Sequence, residues 1–191
     1  MTKSVRRVAI VFIGAAALIS SAAALAADSA AKPPVAAKPP AAATKPPAAA
    51  QYYPLVGYWK GLAELSVPGQ APAKLSVSFG CSKVAGGWAV RCEMVAKNDK
   101  MTITESDLMG VDSVTGVGHW YSVTSEGETH DHVTQWPEEN TMKAHYKWQQ
   151  DGKQMAEDIS LVFQGQRGLE FRSTTTTDGK KTGEFFGKLR H

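Results

Sequence analysis

Residues 119–136, HWYSVTSEGETHDHVTQW, hold three of the five histidines in the chain. His130 and His132 are spaced His-x-His, and His119 lies across a Ser-Glu-Gly-Glu turn from them. On a β-strand, residues two apart share a face, so His130 and His132 would point the same way. A hairpin at the turn can bring a third imidazole opposite them. Three imidazoles meeting at one point can hold a zinc ion and leave a fourth position for water, which is the arrangement of metal-assisted hydration and hydrolysis. Without a metal the same rings make a hydrogen-bonding wall for a small-molecule pocket. Turned outward, they decorate a surface.

The elements that must position them are strands. From Leu55 onward, alternating apolar residues and regularly spaced turn formers give about ten strands, joined by links short enough for hairpins, and no long helical pattern intervenes. Such a meander needs antiparallel neighbours and loses its exposed edges by closing. The expected fold is therefore all-β: an antiparallel up-and-down barrel of about ten strands, wide enough to leave an interior cavity.

Alternation also predicts which side chains face in. Leu75, Val77, Phe79 and Cys81 form one inward set, and a turn at Gly86-Gly87 carries it to Val90, Cys92 and Met94. Cys81 and Cys92, the only cysteines, are then placed for a cross-strand disulfide. Continuing the walk brings Glu105 and Asp107 inward. A five-residue link then selects His119 and Tyr121, and a two-residue turn selects His130, His132 and Trp136. From the other end, Met142, Ala144, Tyr146 and Trp148 are inward, and an Asp151-Gly152 hairpin pairs Tyr146 with Glu157. The candidate site is His119, Tyr121, His130, His132, Tyr146 and Glu157, with His119, His130 and His132 as the metal ligands. A single bulge between residues 110 and 128 would turn the triad outward.

Gly57-x-Trp59 at the start of the first strand resembles the Gly-x-Trp opening of the lipocalins. Across residues 55–190, the pattern LVGYWKG, VAGGW, LMGVDSVTG is similar to a family of uncharacterised bacterial secreted proteins with lipocalin-like barrels. The resemblance implies that Trp59 closes one barrel end and that Arg190, on the last strand, covers it. It also makes haem, held through one histidine, a cofactor to set beside zinc.

The chain start reads as a cleavable export signal over residues 1–27: Lys3, Arg6 and Arg7, then VAIVFIGAAALIS, then small residues. Residues 28–50 repeat Lys-Pro-Pro three times among alanines, the composition of a disordered, extended spacer. The barrel is expected over 51–191, periplasmic or secreted, where a disulfide is stable. Residues 1–50 carry six Lys or Arg and one Asp, which leaves 15 basic and 17 acidic residues for the barrel. That balance excludes a basic nucleic-acid surface. No integral membrane segment is expected once the signal is removed.

No Gly-x-Ser-x-Gly elbow, phosphate loop or His-Glu-x-x-His helix is present, and Ser173–Thr177 reads as ordinary strand. The leading expectation is a barrel that sequesters or carries a small molecule in a partly polar cavity, without bond chemistry. Two alternatives stand beside it: a zinc hydrolase or hydratase, and a structural envelope protein whose spacer contacts envelope polymers or proteins.

Overall fold

A computed structural model describes residues 48–191. The signal assigned to 1–27 and the spacer up to residue 47 lie outside the described residues. Ten antiparallel strands follow one another in space as in sequence: β1 Gly57–Ser66, β2 Ala73–Val84, β3 Ala89–Lys97, β4 Thr102–Val111 and β5 Gly118–Thr124. The second half contributes β6 Thr129–Glu138, β7 Thr141–Gln150, β8 Lys153–Gln164, β9 Gly168–Thr177 and β10 Lys180–Arg190. Each strand pairs with its neighbours, and β10 pairs back onto β1, so the barrel closes as the alternation requires.

Turn chemistry sets several registers. In the β7–β8 and β9–β10 hairpins, Asp151-Gly152 and Asp178-Gly179 adopt left-handed backbone at both turn residues. That is the twist two-residue hairpins prefer. The first turn places Tyr146 opposite Glu157 and Trp148 opposite Met155, as the alternation predicts. Between β2 and β3, Cys81 lies opposite Cys92 and the two form a disulfide with Cα atoms 4.1 Å apart. This spacing matches a pair without mutual backbone hydrogen bonds, where side chains stand close.

One end of the barrel is sealed by a short 3-10 helix, Ala48–Leu55, that composition alone divides between spacer and barrel. Ala48–Ala50 thus belong to the folded part: Ala49, Tyr52 and Leu55 are fully buried. Tyr52 hydroxyl bonds Thr134 Oγ1 and donates to the Gly110 carbonyl, and its ring meets Trp136 edge-on at 6.1 Å. Tyr53 hydroxyl donates to the Gly87 carbonyl at 2.9 Å. Trp59 Nε1 donates to the Leu55 carbonyl at 2.9 Å, tying the helix to β1. Trp136 stacks on Phe163, and Phe163 meets Trp59 edge-on. Trp59 is fully buried at this end.

The residue over Trp59 is His191, not Arg190. Arg190 pairs with Lys60 on the outward parity and is exposed, while Leu189 takes the inward position opposite Gly61. One residue further, the His191 ring meets the Trp59 indole edge-on at 5.0 Å. A Cβ on Gly57 would fall 1.8 Å from His191 Nε2, so the glycine of Gly-x-Trp makes room for that ring.

Among the described residues, no helix is long and apolar enough to cross a membrane.

Candidate functional site

Beyond the sealed end, the interior turns polar. β6 directs His130, His132, Thr134 and Trp136 inward. β7 contributes Tyr146 and Trp148, β8 contributes Glu157, and β9 contributes Ser173. Glu157 is the hub. Its Oε2 lies 2.9 Å from His132 Nε2 and 3.2 Å from His130 Nδ1, and its Oε1 accepts from Ser173 Oγ at 2.6 Å. His132 is only 1% exposed, and its Nδ1 lies 3.3 Å from the Trp120 carbonyl. A carbonyl only accepts, so that contact fixes a proton on Nδ1.

Aromatic rings continue this cluster toward the opposite end of the barrel. His130 stacks on Tyr146 at 4.8 Å, and Tyr146 stacks on Trp148 at 5.3 Å. The side chains of His130 and Glu157 keep 14% and 17% exposure although both face inward. Tyr146, Trp148 and Met155 are likewise only half-buried at inward positions. Water therefore reaches this part of the lumen, while the end under Tyr52 is dry.

A second polar group adjoins it. Asp107 is 2% exposed and accepts from Trp120 Nε1 at 2.6 Å, and its Oδ2 has no hydrogen-bond partner among the described residues. Burial pushes Asp107 up to about 6. Burial, and then the Asp107 charge, holds Glu105 well above the usual carboxylate range. Burial likewise raises Glu128 to about 7. Glu157 behaves oppositely: burial alone would raise it, but hydrogen bonds with His130, His132 and Ser173 and the His132 charge hold it well below the usual range. Burial lowers His130, yet the bond and charge of Glu157, followed by the charges of Glu128 and Glu105, lift it above its ordinary value.

These shifts predict how stability depends on pH. A carboxyl whose pKa rises on folding contributes fully while both states hold the proton, and the contribution is lost as pH climbs through the folded value. For Asp107 the window runs from its ordinary 3.8 to about 6. The loss is about 3 kcal/mol. Asp107→Asn keeps an acceptor for Trp120 and needs no deprotonation. We expect it to be more stable than the parent at pH 7.5 by up to about that amount, with a flatter profile between pH 4 and 6. Urea midpoints at pH 4.5 and 7.5 check this; equal pH dependence in both proteins would refute it.

Of the six residues singled out by sequence, the structure brings His130, His132, Tyr146 and Glu157 together. His119 and Tyr121 do not join them. Tyr121 is 46% exposed, and His119 pairs with Asp131 on the outer face at 3.0 Å. The expected ligand set of His119, His130 and His132 is thus corrected: Glu157 stands where His119 was expected. The cause is the β4–β5 link. Asp112 Oδ1 accepts from the Val114 and Thr115 amides, organising a six-residue loop instead of five, so Val111 pairs with Gly118 and Trp120 faces inward. The next turn closes through Thr124 and Glu128 around three residues, not two. The two changes of parity cancel, and His130 and His132 point inward as expected.

Ser173, Trp120 and Trp148 carry parts of this site that residue types alone do not reveal. For Ser173 a signal exists: stepping by two from Leu169 and Phe171 gives an inward serine.

No protein-family model matches the chain, and no curated protein does. Among solved structures, the barrel is similar to Rv2717c from M. tuberculosis, with a TM-score of 0.58 and 14% identity over 76% of this chain and 97% of that one. It is also similar to the S-type phycobiliprotein lyase CPES from Guillardia theta, with a TM-score of 0.50 and 14% identity over 73% of this chain and 88% of that one. The likeness is one of fold.

Proposed function

We propose that this protein is an exported barrel that binds a small molecule reversibly in the half-open part of its lumen. The observation that carries the reading is the stacked series His130, Tyr146 and Trp148 ending on the Glu157–His132 pair. Flat rings accessible to water offer an apolar face, and the pair beneath them offers fixed hydrogen-bonding groups, the combination small-molecule sites use. The ligand accordingly has a planar or apolar body and a polar end. The similar barrel of a phycobiliprotein lyase is compatible with the reading.

Export is part of the proposal. The basic and apolar start, the small residues after it and the Cys81–Cys92 disulfide agree with an oxidising compartment. So does the resemblance to the uncharacterised secreted lipocalin-like proteins.

The test is native mass spectrometry of protein recovered from its own cell envelope. A defined adduct released on unfolding, and lost from a Trp148→Ala variant that melts like the parent, is expected. Repeated preparations without adduct would remove the proposal.

A further inference from the structure

We propose that His130, His132 and Glu157 bind one divalent transition-metal ion at the floor of the accessible lumen. This goes beyond the carrier reading and does not depend on it.

Three donor atoms already lie close together around Glu157. One nitrogen from each histidine and one carboxylate oxygen lie within 4.8 Å of one another. The two imidazole contacts to Glu157 Oε2, 2.9 and 3.2 Å, are the separations of adjacent ligands on a single ion. Atoms about 2.0–2.1 Å from a zinc ion at tetrahedral or square angles lie roughly 2.9–3.4 Å apart.

The supports behind the ligands point the same way. With its Nδ1 proton committed to the Trp120 carbonyl, His132 aims the Nε2 lone pair at an oxygen of Glu157. Two lone pairs cannot face each other at 2.9 Å without a cation between them, either a proton or a metal. Ser173 holds the other Glu157 oxygen, and Tyr146 fixes the plane of His130 by stacking. Backbone carbonyls and hydroxyls in these positions are the usual outer supports of metal-binding histidines and carboxylates.

One divalent ion would satisfy all three donors at once, where protons must be shared between two rings and one carboxylate. Two histidines with one carboxylate suit zinc and other ions of that class, and the lumen side remains open for water or a donor atom of a bound molecule.

The experiment uses the mature chain without a histidine tag, stripped with chelator and titrated with Zn²⁺ alone and Co²⁺ alone. One equivalent retained after gel filtration is expected, with cobalt absorption bands of a low-coordinate nitrogen and oxygen site. His130→Ala and His132→Ala should each weaken binding by about 100-fold, and Ser173→Ala by about 10-fold. The outer-face double variant His119→Ala, His145→Ala should bind like the parent. Thermal melts establish that each variant is folded; His130, half-buried, is the variant least dependent on that check. A parent that retains no metal would overturn the proposal. So would binding that survives loss of His130 and His132, or that disappears with His119 and His145.

Discussion

Replacing Glu157 by alanine is expected to destabilise the metal-free barrel by about 3–5 kcal/mol at pH 7. The carboxylate accepts from Ser173 and meets both His130 and His132, so its removal strands three polar groups together. His132 is closed off from water and cannot recover the lost partner by solvation. Breaking one member of a buried charged network costs more than the network itself is worth, because the remaining groups stay desolvated. Glu157→Gln preserves volume and one acceptor, so it should lose roughly half as much. Urea denaturation of the three proteins decides the matter. A loss below about 1 kcal/mol for the alanine variant would mean that water already solvates the cluster.

The second large effect is expected at the sealed end. Tyr52→Ala should cost about 3–5 kcal/mol, the range for truncating a large buried aromatic ring. Tyr52 is fully buried, packs edge-on against Trp136, and binds Thr134 and the Gly110 carbonyl through its hydroxyl. Tyr52→Phe keeps the ring and leaves those partners unanswered, for a loss of about 1–2 kcal/mol. The comparison separates packing from hydrogen bonding, and thermal melts of both variants read it. If Tyr52→Ala melts with the parent, the 3-10 helix is an ornament and the barrel core seals itself.

The two effects sit at opposite levels of the lumen, and this division organises the protein. Tyr52, Leu55, Trp59, Trp136 and Phe163 make one end dry and rigid, which anchors the lower parts of β6 and β8. His130, His132 and Glu157 stand on the same strands, nearer the wet end. The functional groups are thereby held on strands whose register the apolar end secures.

What the sequence by itself determined was every feature carried by a short-range period. Alternation named ten strands, the Asp-Gly turn at 151–152 placed Tyr146 opposite Glu157, and the spacing around Gly86-Gly87 placed Cys81 opposite Cys92. These follow from a two-residue repeat and from turn residues that tolerate left-handed backbone, both local properties. Only the tertiary structure decided what depended on loop conformation or on contacts distant in the chain. Asp112 adds one residue to the β4–β5 loop by capping its own backbone, and that residue turns His119 and Tyr121 outward and Trp120 inward. The alanine-rich start of the 3-10 helix resembles spacer in composition, yet Ala49 and Tyr52 are buried because the barrel end offers them a socket. His191, not Arg190, reaches Trp59 because the β1–β10 register leaves Arg190 on the outer parity. The convergence of His130, His132 and Glu157 needed both kinds of information: alternation set which face each residue takes, and closure of the barrel brought β6 and β8 to one point across Tyr146. Side-chain parity is a local quantity, whereas the meeting of two strands with a third between them is a property of the closed curve they lie on.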